Sequence, residues 1–350
     1  MTHCLVIGGA GFIGSHLVEA LVARGHRVRV LDNFSTGNMT NLAAVMKDIE
    51  LFVGDLADAE LVNEAVKGID VVFHQASPCN CTHDSAEVHK LAQVGTMNTR
   101  NVLVASHHAG VRLVVYASSA QVYGSPFARW ANEENLPNPS SLQAAGHLAS
   151  EEECKTFTRL YGLKTVRLRY FNVFGPRQSN FNSSPNILQI LKAMLFGRRP
   201  VVNGDGLAWQ DFIYVDDVVY ANLLVAEARR VSGKVYNIGC GRPTTLLDVI
   251  AVFNALLGTH LQPLYGDARP WIDLQNLADT FRSEAELGFC PATDLETGLR
   301  LWIDSCVRRQ QDLLAPATWH RSLGRSPLRR YSPAEEPLGQ EIPLSGGADG

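Results

Sequence analysis

Gly8, Gly11 and Gly14 stand three residues apart directly after a short apolar run. This is the spacing of a strand that turns tightly into a helix. Gly8 allows the turn, Gly11 lets phosphates approach the backbone, and Gly14 lets the helix pack closely on the strand. Exposed N–H groups and the helix dipole at that end would hold a pyrophosphate. A second apolar run, 28–31, ends in Asp32. An acid there suits both ribose hydroxyls of an adenosine and repels a 2′-phosphate, so NAD is expected in preference to NADP. Cys79, Cys81 and His83 lie close together. Their spacing is tighter than a zinc knuckle and no second Cys pair follows, so no metal site is expected.

The elements that must position these residues follow from the pattern. Strand-like runs at 5–7, 28–31, 51–53, 71–74, 113–117 and 166–170 alternate with helical patterns, the first helix running from Ser15 to about Arg24. The expected class is α/β: a Rossmann-type, doubly wound parallel sheet. Ligands of such sheets sit at the carboxyl ends of the strands. The polar residues gather there: Asp32, Gly54-Asp-Leu, His74-Gln-Ala-Ser, Ser118-Ser119 and Phe171-Asn172. The expected organisation is a nucleotide-binding domain over 1–172 and a smaller, interleaved substrate lobe over 173–315. The tail, 316–350, is rich in Pro, Gly, Ser and Arg and is expected to be disordered.

Composition narrows the classes. The chain has 350 residues, 46% of them hydrophobic, and a net charge of -4. It can bury a large core, and it lacks the basic balance of a nucleic-acid binder. No apolar run spans a bilayer. Seven unevenly spaced cysteines and an N-terminus that enters the first strand directly lead us to expect a cytoplasmic protein with reduced thiols.

Over roughly residues 3–303 the chain resembles the extended short-chain dehydrogenase/reductase family, in its branch of NAD-dependent sugar-nucleotide epimerases and dehydratases. The motifs that carry the resemblance are Gly-Gly-Ala-Gly-Phe-Ile-Gly-Ser-His at 8–16, Ala-Ser-Ser-Ala-Gln-Val-Tyr-Gly at 117–124, and Arg-Tyr-Phe-Asn-Val-Phe-Gly-Pro-Arg-Gln at 169–178. Asp-Phe-Ile-Tyr-Val-Asp-Asp-Val at 211–218 and Arg269-Pro270 extend it. The resemblance is strongest to UDP-glucose and UDP-N-acetylglucosamine 4-epimerases. It implies cofactor contacts from Gly8, Gly11, Phe12, Ile13, Gly14, Asp32, Asn33, Asp55, Leu56, Gln75, Ala76 and His147. It implies substrate contacts from Ser119, Asn172 and Arg269, and a homodimer built on helices near 84–109 and 143–160. Leu148, Cys154, Phe157 and Leu160 form an apolar stripe on the second of these helices.

In that family a Tyr-x-x-x-Lys pair carries the chemistry, with the phenolate taking the proton from a sugar hydroxyl. Here the register places Gln143 at the tyrosine and His147 at the lysine. A glutamine amide does not titrate near neutral pH. A histidine does, with an unperturbed pKa of about 6.5. The serine of the pair's loop persists as Ser119, and the carboxylates that dehydratases and decarboxylases use are replaced by Ala120 and Gln121. Tyr123 reads as a packing residue. The expected activity is C4 epimerisation of a nucleotide-activated sugar with Ser119, Gln143 and His147 as atypical catalytic residues. The alternative is a catalytically impaired relative that binds NAD and a sugar nucleotide as a sensor or partner subunit.

Overall fold

The computed structural model describes residues 1–76, 85–124, 130–179, 185–267, 277–308 and 330–331. Seven strands form a parallel sheet: β1 (His3–Ile7), β2 (Arg27–Asp32), β3 (Ile49–Val53), β4 (Val71–His74), β5 (Leu113–Ser119), β6 (Thr165–Tyr170) and β7 (Val235–Ile238). Their order is β7-β6-β5-β4-β1-β2-β3. The order reverses between β1 and β4, which places a ligand crevice at their carboxyl ends. All six strands read from the sequence are present. The seventh comes from beyond residue 172, and α6 (Val215–Glu227) also packs on the sheet, so the second half of the chain interleaves with the first.

Period-two alternation explains why the sheet is covered on both faces. Along β1, Cys4 and Val6 turn to one core with Leu17 and Leu21 of α1 (Phe12–Ala23) and Val218 of α6. Leu5 and Ile7 turn to the other. There they meet Leu61 of α2 (Ala59–Ala65), Val102 and Leu103 of α3 (Ser85–His108), and Cys154 and Phe157 of α4 (Leu142–Tyr161). A third core, with Phe174, Phe212, Phe253 and Trp302 at its centre, holds α5 (Pro185–Leu195), α7 (Leu246–Leu257) and α8 (Leu295–Arg308) together.

Three expectations change. Helix α1 begins at Phe12 rather than Ser15, because Gly11 in extended backbone already caps it. The apolar stripe on α4 is not one outward face: Cys154 and Phe157 are buried against the sheet, Leu148 packs beside Tyr123, and Leu160 is exposed. Within the tail, Arg330–Tyr331 forms an eighth strand, β8, antiparallel to β3. A sheet edge offers unpaired N–H and C=O groups to any extended segment, whatever its apolar period. No helix among the described residues is long and apolar enough to cross a membrane.

Candidate active site

The glycine loop sits at the carboxyl end of β1. Gly8 has φ +77°, and a Cβ there would come within 2.8 Å of the Ala76 nitrogen. The loop closes with the Gly11 N–H donating to the Gly8 carbonyl at 3.1 Å. The first-turn N–H groups of Phe12, Ile13 and Gly14 have no acceptor inside the helix and face the crevice end. A Cβ on Gly14 would lie 2.1 Å from the Gly8 carbonyl oxygen. The α1 terminus is therefore pressed onto the strand turn, as a pyrophosphate cradle requires.

Asp32 ends β2 and is buried. Its Oδ2 accepts the Ala10 N–H at 2.9 Å and its Oδ1 accepts the Phe34 N–H at 2.8 Å. Burial pushes its carboxyl up, against the pull of those donors. Asn33 donates to the Asp55 carboxylate at 2.7 Å, and Leu56 is buried just beyond, so these residues form one wall beside Asp32. Gln75, one of the expected cofactor contacts, follows the carboxyl end of β4. Its amide points inward to Tyr170 and to Asn222 Oδ1 at 3.0 Å, which leaves its backbone and Ala76 beside Gly8. The donor set fits a dinucleotide with two ribose hydroxyls. Asp32→Ala is expected to weaken NAD binding by about ten- to a hundredfold, since hydrogen bonds to a charged group contribute roughly 1.5–3 kcal/mol each. The native protein is expected to discriminate against NADP. Titration calorimetry with both cofactors reads this directly, and equal native affinities defeat it.

Ser119 ends β5 and caps the short turn Ala120–Tyr123, its Oγ accepting the Gln121 N–H at 3.2 Å. Helix α4 packs against β5 and this turn, which brings the faces of Gln143 and His147 toward the strand that carries Ser119. Gln143 is half-buried in the first turn of α4, behind the Ser141 cap. His147 is only 6% exposed. Its Nδ1 lies 3.1 Å from the Tyr116 hydroxyl, and burial lowers its pKa to about 4 although Glu151 pulls it upward. His74, on β4, is likewise lowered to about 4 by burial, with His147 adding to the shift. An inflection near the usual histidine value is therefore not expected from His147.

The sign of the linkage is testable. Both imidazoles are neutral in folded and unfolded chains above about pH 6.5, where their contribution to stability is complete. As pH falls from 6.5 toward 4, the unfolded chain takes up protons that the folded chain refuses, and stability drops. Between pH 7 and 5 the His147 part is on the order of 2 kcal/mol. Asp211 works the other way. Burial raises it to about 6, so the folded chain takes up its proton first. His147→Gln is expected to flatten the fall in stability from pH 7 to 5, measured by urea unfolding. An unchanged slope overturns this assignment.

Behind the serine loop runs a buried polar chain. Ser118 donates to Glu151 at 2.5 Å, and Arg169 grips the same carboxylate with two bonds of 2.9 and 2.7 Å. The Arg169 guanidinium lies 4.7 Å over the Tyr123 ring, and the Tyr123 hydroxyl donates to Asn237 at 2.6 Å. Burial pushes the Tyr123 phenol up to about 12. Tyr123 is thus a packing residue, as its context in the sequence suggests. Asn172 pairs with Phe212 across two short strands and donates its amide to the Asp211 carbonyl at 3.0 Å. Asp211 in turn ties down the N–H groups of Cys240, Gly241 and Ala278. Arg269, Cys79, Cys81 and His83 lie outside the described residues. The residues that sequence reasoning missed are Tyr116 and the pair Glu151–Arg169. Tyr116 reads as a core aromatic in period-two alternation, and no local signal marks its hydroxyl.

Comparison with known proteins agrees with this architecture. Residues 4–239 match the model of the NAD dependent epimerase/dehydratase family. A UDP-glucose 4-epimerase of Mycolicibacterium smegmatis is 32% identical over 311 residues, 88% of this chain and 99% of the relative. The structure is similar to a UDP-N-acetylglucosamine 4-epimerase of Methanobrevibacter ruminantium in complex with UDP-N-acetylmuramic acid, with a TM-score of 0.82 and 32% identity over 88% of this chain and 99% of that one. It is also similar to the UDP-glucose 4-epimerase of Thermus thermophilus in complex with NAD, with a TM-score of 0.78 and 32% identity over 87% and 98% of the two chains. Glycine loop, terminal acid of β2, serine loop and interleaved second half occur together in one chain, and with a match of this extent the chain belongs to the NAD dependent epimerase/dehydratase family.

Proposed function

We propose that this protein is an NAD-dependent epimerase of a nucleotide-activated sugar, working by transient C4 oxidation and re-reduction with an atypical active site. The observation that carries the reading is the placement of the glycine cradle, Asp32 and Ser119 along one carboxyl edge of the sheet, beside its switch point. Gly8, Gly11, Gly14 and Asp32 would hold the pyrophosphate and the adenosine ribose, with Asn33, Asp55 and Leu56 walling the adenine. The chemistry NAD supplies when bound is reversible two-electron oxidation of an alcohol. Ser119 would orient the reacting sugar oxygen, and Asn172 and Arg269 would hold the nucleotide diphosphate. Gln143 stands where it can accept or donate a hydrogen bond but not exchange a proton.

A second reading has its own observation. Gln143 does not titrate, His147 is held well below neutrality, and Tyr123 is committed to Asn237. Losing a positioned acid or base costs about a hundred- to ten-thousand-fold. The protein would then bind NAD and a sugar nucleotide as a sensor or partner subunit. One experiment separates the two: extract bound cofactor from the purified full chain, then incubate it with UDP-, GDP- and dTDP-sugars. Epimer formation supports the enzyme, and binding without turnover supports the second reading. Absence of NAD binding overturns both.

The proposal extends to a homodimer through the outer faces of α3 and α4, where Met97, Val104, Leu160 and Tyr161 are exposed. Light scattering at micromolar concentration checks it, and a monomeric mass removes it. The described cysteines are free thiols, and we place the protein in the cytoplasm.

A further inference from the structure

We propose that Arg177 is a positioning residue for the cofactor: from the turn that follows the Asn172 strand it clamps the first turns of α1, and so holds the pyrophosphate cradle against that strand. The binding roles of the cradle and of Asn172 rest on the functional reading above; the clamp rests on the fold alone.

The backbone at Arg177 is strained. Its φ of +69° lies in the left-handed region, where a side chain is unfavourable and glycine is at ease. Its side chain is only 9% exposed, and its Nε is buried without a hydrogen-bond partner among the described residues. A strained backbone and an unsatisfied buried donor persist at one residue only where its other contacts hold it there. Those contacts converge on α1. Arg177 Nη1 donates to Ser15 Oγ at 3.2 Å, and Nη2 donates to Glu19 Oε1 at 2.5 Å. Ser15 Oγ donates in turn to the carbonyl of Phe12, the first residue of the helix, at 3.2 Å. One residue earlier in the turn, the Pro176 carbonyl meets His16 Nε2 at 3.0 Å. Ser15 and Glu19 lie one helical turn apart on a common face, and a forked guanidinium spans both where a single ammonium does not.

The other end of the turn is the substrate side. Residues 175–178 leave the short strand Asn172–Phe174, which pairs with Phe212–Tyr214. Gln178 closes the turn, its N–H donating to the Gly175 carbonyl at 3.4 Å. Phe12 and Phe174 both belong to the third core, so the junction is apolar on one side and pinned by Arg177 on the other. The guanidinium also acts on α6: burial and Asp217 push the Asp216 carboxyl up, and Arg177 pulls it down. Arg177 thus works through Ser15 and the Phe12 carbonyl on the turn whose N–H groups face a pyrophosphate.

The test uses the full-length protein, with NAD alone as the probe. Arg177→Gly removes the guanidinium and relieves the backbone, so its melting temperature is expected to stay near the native value. Calorimetric titration is expected to show NAD binding weakened by about three- to thirtyfold, a share of the roughly ten- to hundredfold that a hydrogen bond to a charged group contributes. Glu19→Gln is expected to weaken NAD binding in the same direction. The double variant is expected to be no weaker than Arg177→Gly, because both changes open one clamp. In ligand-free protein, amide hydrogen exchange read by mass spectrometry is expected to quicken across α1 in Arg177→Gly and to stay unchanged in α7. Ser15→Ala opens the clamp from the helix side and replaces Arg177→Gly if that variant does not fold. NAD affinity within about twofold of native in the folded variants, or additive effects at residues 19 and 177, overturns the positioning role. A lower melting temperature with native NAD affinity overturns it too, leaving Arg177 to stability alone. Unchanged exchange in α1 overturns the clamp. Failure of the native protein to bind NAD defeats the functional reading, and the exchange result then decides the clamp by itself.

Discussion

Gln143→Tyr combined with His147→Lys is expected to raise C4-epimerase turnover of UDP-sugars by about a hundred- to ten-thousand-fold, the usual worth of a positioned acid/base. The two positions lie one helical turn apart on α4, so their side chains share a face. Helix α4 presses that face toward β5 and the Ser119 turn. A phenol at 143 can exchange a proton, which the amide does not do. It works near neutral pH only when a cation beside it lowers its pKa, hence the lysine. The pocket at 147 resists charge, since it holds imidazole down to about 4 by burial. Glu151 pulls upward on a cation at this site, and a longer lysine reaches further toward the cofactor edge. Gln143→Tyr alone is therefore expected to gain much less than the pair. Initial rates of UDP-glucose to UDP-galactose conversion check this. A double variant that still binds NAD and UDP-glucose, yet turns over no faster than the native chain, overturns it.

Gly14→Ala is expected to remove NAD retention. The added Cβ would sit 2.1 Å from the Gly8 carbonyl oxygen and 2.9 Å from both the Gly8 carbonyl carbon and the Gly9 Cα. All three are backbone atoms, so no rotamer change relieves the overlap. The first turn of α1 must lift from β1, and its N–H groups leave the position where a pyrophosphate meets them. Losing two hydrogen bonds to a charged partner weakens binding by about 3–6 kcal/mol, or roughly two to four decades. The same lift disturbs Leu17 and Val18 in the first core, and overpacking of this kind costs about 1–3 kcal/mol of stability. Calorimetric titration with NAD and a thermal melt measure both effects. Affinity within threefold of the native value defeats the argument.

Much of this site was legible before any coordinates, and the reasons are local. Short apolar runs mark β1 and β2, and the glycines between them have few other uses at that spacing. Asp32 follows as the next polar residue at a strand end. Ser119 and the unusual pair Gln143 and His147 were read from motif register. Other features depend on partners far away in the chain. The stripe on α4 has helical spacing, which marks an apolar face without naming its neighbour. Cys154 and Phe157 found the sheet. The Gln75 amide meets Tyr170 and Asn222, 95 and 147 residues away, partners that no local pattern names.

By itself the sequence determined the parallel sheet, the glycine turn between β1 and α1, the acid at the end of β2, and the absence of a titratable phenol at residue 143. These are properties of residue type and short-range period, which the backbone reads within one turn or strand. Only the tertiary structure decided the state of His147. Its pKa depends on how much water is excluded and on which side chains pack around the ring. Tyr116 meets it from 31 residues away, through the packing of α4 on β5. The tail strand β8 was decided the same way, because the open edge of β3 accepts a backbone whatever its side chains.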